Sequence, residues 1–252
     1  MRCGFVALVG RPNVGKSTLL NRLVGTKLAI VSDKPQTTRN RIAGVRNYEG
    51  GQAIFLDTPG IHRPTHRMNV RMVDAAVEGI QQADVVALVA DATDRRAGGG
   101  ERFILERLRR TTAPVALVLN KVDLVPRPSL LPLIDRWRQR HVFTEIVPVC
   151  ALSGENVDRL ERVLLEHLPE GDPRYPTDYL TDQPERFFVA EMVREQILRQ
   201  THEELPYSVA VLIESFKEEQ GGRVRIDAAI VVERDGQKAI MIGKGGAMLK
   251  AI

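Results

Sequence analysis

Gly10-Arg11-Pro12-Asn13-Val14-Gly15-Lys16-Ser17 has the spacing G-x-x-x-x-G-K-[ST], and its surroundings decide the fold. The apolar run Phe5 to Val9 leads in as a strand, and Thr18 to Leu23 leads out with a helical pattern. Strand, glycine-rich turn and helix start, in that order, point consecutive backbone N–H groups at phosphate oxygens at the positive end of a helix. Lys16 is then expected to reach the β- and γ-phosphates, and Ser17 to place its hydroxyl on Mg²⁺.

Thr26 to Asn40 follows as a polar stretch without an apolar period, read as a long functional loop. Arg41 to Tyr48 and Gln52 to Leu56 read as two strands around Glu49-Gly50-Gly51, the second ending in Asp57-Thr58-Pro59-Gly60. Alone, that tetrapeptide is a turn. About forty residues after a phosphate loop, Asp57 stands where a Mg²⁺ water ligand is needed, and Gly60 can turn its N–H to a terminal phosphate. A basic loop is expected over 61–67, a helix over 68–80, a buried strand over 83–91, a break over 95–100 and a helix over 101–110. Pro114 to Leu119 is the next buried strand, delivering Asn120-Lys121-Val122-Asp123. A helix over 127–140, a strand over 146–149, the turn Cys150-Ala151-Leu152 and a helix over 157–168 complete the pattern. Alternating strands and helices imply an α/β, doubly wound and mostly parallel sheet with ligands at the carboxyl ends of its strands.

Asn120-Lys121-x-Asp123 is the specificity element. Guanine carries N1–H and a 2-amino group side by side, two donors that one carboxylate accepts together. Asp123 is expected to supply it, Lys121 to lay its stem over the base and Asn120 to tie this loop to the phosphate loop. Adenine would leave the carboxylate unpaired, discrimination worth roughly 10⁴ to 10⁵. The backbone around Ala151 is expected to offer guanine O6 an N–H.

These residues resemble the nucleotide motifs of a P-loop GTPase of the translation-factor-related class. The forms G-R-P-N-V-G-K-S-T-L, Q-T-T-R-x-R and D-T-P-G-I-H resemble the Era family, and the resemblance runs to the end of the chain. It implies a GTPase that binds the RNA of the small ribosomal subunit, 16S rRNA, during subunit maturation, with GTP/GDP and Mg²⁺ as ligands. Carried over by position, Gly10, Asn13, Val14, Gly15, Lys16, Ser17, Thr18, Asp57, Thr58, Pro59, Gly60, Asn120, Lys121, Asp123, Cys150, Ala151 and Leu152 form the nucleotide site. Ser17, Thr38 and Asp57 form the metal site, with Thr37 competing with Thr38 because sequence alone does not fix the register. Lys16, Thr38, Gly60 and Asn13 are the catalytic candidates. Cys150 stands where the family usually has Ser. Ile61 occupies the position at which many GTPases orient the attacking water with Gln, which implies slow intrinsic turnover helped by backbone groups, an RNA or protein partner, or K⁺. Asn13 is either a K⁺ ligand, as in related GTPases, or a residue that stiffens the loop.

Residues 1–170 are expected to form the GTP-binding domain, 171–185 a proline-rich linker and 186–252 a smaller α+β domain. In the latter, an apolar helical stripe over 185–201 precedes a hairpin of 207–216 and 223–233 around Glu219-Gln220-Gly221-Gly222. Ile242-Gly243-Lys244-Gly245-Gly246 then leads into a helix. A G-x-x-G between short helices is the nucleotide-backbone clamp of a KH domain, here of type II, and the resemblance implies that the family's KH fold continues beyond Ile252. Two competing classes remain: a nucleotide-dependent RNA scaffold with negligible hydrolysis, and an ATP-dependent P-loop enzyme, against which Asn120-Lys121-Val122-Asp123 argues.

The 252 residues carry a net charge of +4, split unevenly. Residues 1–168 hold 25 Lys+Arg against 17 Asp+Glu, and 169–252 hold 11 against 15. The basic excess reads either as a solvated surface or as a face for an anionic partner. No apolar run is long enough to span a bilayer, and Cys3 and Cys150 make no disulfide framework. A cytoplasmic monomer without DNA as partner is expected; family members can also sit peripherally at the inner face of the membrane.

Overall fold

The computed structural model describes residues 1–61, 67–94, 101–203, 205–219 and 221–252. The chain divides into two compact units, Met1–Ala29 with Pro35–Asp182, and Ile30–Lys34 with Gln183–Ile252. Most of the loop expected over 61–67, the break expected over 95–100 and Gln220 of the hairpin turn lie outside the described residues.

In the first unit the order is β1 (Arg2–Val9), α1 (Lys16–Val24), β2 (Ile42–Tyr48), β3 (Gly51–Asp57), α2 (Arg67–Gln82), β4 (Val85–Asp91), α3 (Arg102–Leu108), β5 (Val115–Asn120), α4 (Leu130–Arg138), β6 (Glu145–Pro148) and α5 (Val157–His167). Among the described residues the sheet has six strands in the order β2-β3-β1-β4-β5-β6. Only the β2–β3 hairpin is antiparallel; every other neighbouring pair is parallel. The central strands are buried almost throughout, from Val85 to Ala90 and from Val115 to Asn120, because helices cover both faces. Apolar stripes explain the helices: Leu19, Leu20, Leu23 and Val24 bury one side of α1, and Val157, Leu160, Val163 and Leu164 one side of α5.

Register then sets the site. Asp57 lies opposite Leu8, one residue before the end of β1, and Asp91 opposite Asn120. The carboxyl ends of β1, β3, β4 and β5 therefore deliver their loops to one edge of the sheet.

Two elements differ from the sequence reading. The helix expected over 127–140 splits into a single 3-10 turn, Arg127–Ser129, and α4. Pro128 falls in that turn and Pro132 in the first turn of α4, where a missing N–H costs no intrahelical bond. The stretch expected as a linker is irregular but bonded to the first unit. Gln52, fully buried, accepts the Arg174 and Tyr175 N–H groups at 2.8 and 3.0 Å and donates to the Tyr175 carbonyl at 2.8 Å. The Val45 N–H donates to the Leu180 carbonyl at 2.8 Å and the Ala43 N–H to Asp182 Oδ1 at 3.1 Å. The first unit accordingly extends to Asp182.

The second unit contains α6 (Glu185–Gln200), an antiparallel pair β7 (Val209–Glu219) and β8 (Arg223–Val232), α7 (Asp235–Ile242) and α8 (Ala247–Ala251). Ile197, Leu205, Val209 and Met241 form its core, with Val193, Val211, Ile230 and Val232 packed around them. The hydrophobic face of α6 is thus spent on the sheet and on α7.

Candidate functional site

The phosphate loop runs from the end of β1 into α1. Gly15 is required: its φ is +96°, and a Cβ there would lie 2.3 Å from Asn120 Nδ2. The Lys16 side chain, 6% exposed, curls over the loop and donates from Nζ to the carbonyls of Gly10 at 3.2 Å and Arg11 at 2.9 Å. Burial lowers its pKa to about 8 against the attraction of Asp57. These carbonyl contacts hold the ammonium where an incoming phosphate can take it over. At the rim, Arg11 donates to Asp94 at 3.0 Å and lies 3.7 Å from Glu101, whose burial raises its pKa with Arg11 opposing.

Three oxygens converge beside Lys16. Ser17 Oγ lies 2.7 Å from Asp57 Oδ2 and 2.8 Å from Thr38 Oγ1, with Thr38 Oγ1 3.4 Å from the same carboxylate oxygen. Asp57 is fully buried, and its Oδ1 has no hydrogen-bond partner among the described residues. Burial raises its pKa, opposed by Lys16 and by the bonds from Ser17 and Thr38. Two hydroxyls and a buried carboxylate with an unsatisfied oxygen form the hard donor set that suits Mg²⁺. Of the two threonines left open by the sequence, Thr38 carries its hydroxyl into this cluster.

Thr58 donates to the Leu8 carbonyl at 2.8 Å, pinning the turn after β3 to β1. The next residues close on the phosphate loop, where the Ile61 N–H donates to the Gly10 carbonyl at 3.0 Å. Ile61 is fully buried, its side chain within the core cluster that holds Ala7, Val9 and Leu88. An apolar side chain turned into the core cannot orient a water.

Asn120 is the keystone of the base-recognition side. Its Nδ2 donates to the Val14 carbonyl at 2.8 Å and its Oδ1 accepts the Ala151 N–H at 2.9 Å, so one buried amide ties phosphate loop, β5 and the loop after β6 together. Lys121, held at φ +64°, donates from Nζ to the Asn13 carbonyl at 2.8 Å and pairs with Asp91 at 2.6 Å. Those anchors fix its aliphatic stem. Asp123 is exposed on the single turn Val122–Leu124 and has no partner among the described residues. The Ala151 N–H is spent on Asn120, while the Leu152 N–H has no partner among the described residues and is open to a carbonyl oxygen. Arg22 braces the loop from below through the Ala151 and Leu152 carbonyls. Cys150 is buried, and its sulfur accepts the Ser153 N–H at 3.5 Å, so a thiol serves this turn.

Such a constellation binds a purine nucleotide phosphate, and known proteins agree. A family profile described as "50S ribosome-binding GTPase" matches residues 5–121, and a KH domain profile matches 204–252. The GTPase Era of Geotalea uraniireducens is 55% identical over 251 residues, covering 100% of this chain and 84% of that protein. The chain belongs to the Era family of GTPases. The GTPase Era of Heliobacterium modesticaldum is 50% identical over 252 residues, again with 100% and 84% coverage. A crystal structure of a point variant of Aquifex aeolicus Era bound to GDP·AlF4⁻ superposes with a TM-score of 0.95 at 44% identity, covering 99% of this chain and 85% of that one. An Era structure in complex with MgGDPNP and nucleotides 1506–1542 of 16S ribosomal RNA gives 0.95 at 43% identity, covering 100% and 85%.

In this Era-family chain the G-x-x-G segment lies between α7 and α8. Gly243, Gly245 and Gly246 have φ of +71°, +62° and +82°, a turn that bare backbone adopts readily. Lys244 is exposed at its tip, and Ile240 and Ile242, 54% and 40% exposed, flank it. No helix among the described residues is long and apolar enough to cross a membrane.

Proposed function

We propose that this chain is a cytoplasmic, monomeric GTP-hydrolysing switch that binds 16S rRNA and acts in small-subunit biogenesis. One observation carries the reading: the phosphate loop, Thr38, Asp57, Asn120 to Asp123 and the 150–152 loop converge at one sheet edge, in a chain that also carries a G-x-x-G turn. The 16S rRNA in the structure at TM-score 0.95 supports the small-subunit partner over the "50S" wording of the broader GTPase profile.

Phosphoryl transfer needs positioning and neutralisation of charge more than covalent chemistry. Lys16 would exchange its two loop carbonyls for β- and γ-phosphate oxygens. Ser17, Thr38 and Asp57 would hold Mg²⁺, which supplies positive charge across the phosphates. Thr38 makes switching possible, because a threonine from a long loop joins the cluster only when that loop is closed. Gly60 would turn its N–H to the γ-phosphate. The open carboxylate of Asp123 would accept guanine N1–H and N2–H while the Leu152 N–H meets O6. Asn13, at φ +63° on the phosphate loop, is the candidate K⁺ ligand that would supply charge where Ile61 cannot help. On the RNA side, Gly243 to Gly246 would clamp the sugar–phosphate backbone with Lys244, and Ile242 would pack against a base.

The test is multiple-turnover phosphate release from GTP by the chain, with and without a 16S rRNA 3′-end fragment. Turnover stimulated by the RNA is expected. Absence of release in either condition would leave a binding scaffold, and equal competition by ATP would remove the guanine assignment. Replacing K⁺ by Na⁺ tests Asn13, since undiminished turnover would eliminate the K⁺ role.

A further inference from the structure

The second unit, Ile30–Lys34 with Gln183–Ile252, is close to neutral, with 11 Lys+Arg against 12 Asp+Glu. Affinity for nucleic acid comes largely from cations that displace counterions from phosphates. The basic excess lies in the first unit, which holds 25 Lys+Arg against 20 Asp+Glu. Residues 102–141 hold nine Arg+Lys against three Asp+Glu, and eight of the nine are arginine. Lys121 belongs to the nucleotide site, and much of the remainder gathers at the opposite edge of the sheet, at the amino ends of β5 and β6.

A cleft of about 570 Å³ opens there between the carboxyl ends of α3 and α4, its walls including Arg109, Arg138, Arg140 and His141. Arg109 and Arg140 are exposed and have no ion-pair partner among the described residues. Arg138 has only a long, solvent-exposed pair with Asp135 at 3.8 Å, a geometry worth little. The bland account of these cations is that they offset the negative ends of α3 and α4. That accounts for arginines in the last turns but not for a cleft between two helix ends lined from both sides by unpaired guanidinium groups. Guanidinium matches phosphate oxygens in a two-point fork, as it does a carboxylate, so an arginine-walled cleft suits an oxyanion and not a metal ion, and in a chain read as binding RNA the oxyanion at hand is the phosphodiester.

We propose that this cleft is a second RNA-binding surface, taking the phosphate backbone of the same RNA that the G-x-x-G turn engages. It rests on the RNA-binding reading above and adds where the affinity comes from: the second unit reads the strand, and the α3–α4 cleft of the first unit supplies the electrostatic hold. Sequence recognition is not its task, since guanidinium–phosphate contacts position a nucleic acid without reading it.

The experiment uses the full chain and a 16S rRNA fragment spanning nucleotides 1506–1542, with affinity measured across a range of salt concentrations. The double variant Arg109→Glu/Arg140→Glu should weaken RNA binding about tenfold at 0.1 M salt. It should also flatten the log–log salt slope by about 1.4, two phosphate contacts at roughly 0.7 each. GDP affinity should not change, because neither residue approaches the nucleotide. Arg159→Glu/Arg162→Glu on α5 makes the same change in net charge away from the cleft and should have much the smaller effect. Equal effects of the two pairs would reduce the finding to overall charge and overturn the cleft. Unchanged affinity and slope in the first pair, with RNA still bound, would overturn it too. Failure of the unaltered chain to bind the fragment would instead refute the RNA-binding reading. Arginine-dependent binding to phosphatidylglycerol vesicles, with RNA binding untouched, would assign the cleft to a membrane surface and overturn the proposal.

Discussion

Asp123 and Asn120 lie three residues apart and act in different ways. Asn120 is spent inside the protein on Val14 and Ala151, whereas the Asp123 carboxylate stands open. Changing Asp123→Asn puts an amide donor where guanine N1–H also donates, so GTP affinity should fall by roughly 10⁴ and xanthosine triphosphate should become the better ligand. Competition binding with the two nucleotides checks this; an unchanged guanine preference would refute the role. The N-K-x-D spacing showed this residue in the sequence because it follows directly on a buried strand. It did not show that Asn120 takes the Ala151 N–H, leaving Leu152 as the open donor, because that bond joins residues from different strands. The Thr37/Thr38 register was illegible for the same reason, being set by the distance to Ser17 across the fold. At the cleft, His141 titrates below its ordinary range, mainly through burial and secondly through Arg109. Arg109→Ala should therefore raise its pKa while leaving it below 6.5, read by NMR titration of the imidazole, because the larger cause remains. With the folded-state pKa below the unfolded one, His141 costs stability as pH falls through the range near 6.5, and the variant should lose less there.

At the scale of elements, the strands and helices of the first unit were legible because both periodicities are strong, and the departures have local causes. Prolines at 128 and 132 replaced one long helix by a turn and a shorter helix. The segment 171–182 had the composition of a linker, and composition could not show that Gln52 from β3 captures it. A buried side chain that accepts two N–H groups and donates to a carbonyl is an anchor, and its loss removes the partner of all three backbone groups. Gln52→Ala should destabilise the first unit by about 3 kcal/mol, three lost hydrogen bonds at roughly 1 kcal/mol net each. The amides of Arg174 and Tyr175 should then exchange with solvent much faster. Hydrogen exchange decides between the readings: a linker would show those amides unprotected in the unaltered chain, and a bonded strap shows protection that Gln52 controls.

For the whole molecule, the two compact units divide the chemistry between them. The residues proposed to hold GTP and Mg²⁺ lie within Met1–Ala29 and Pro35–Asp182, while the second unit has its own small core around Ile197, Val209 and Met241. A ligand stabilises what it binds by RT ln(1 + [L]/Kd), about 2.7 kcal/mol at a hundredfold excess over Kd. GDP with Mg²⁺ should therefore raise the melting temperature of the first unit by several degrees and leave the second in place. Calorimetry should resolve two transitions, of which only the larger moves with nucleotide, since the larger unit carries the larger unfolding enthalpy. The RNA fragment is the complementary probe. If the cleft between α3 and α4 supplies part of its affinity, RNA stabilises both units, and Arg109→Glu/Arg140→Glu should abolish its effect on the larger transition while sparing the smaller. A single transition that shifts as one with either ligand would show that the units do not unfold independently, and the division of labour would then have to be sought in binding alone.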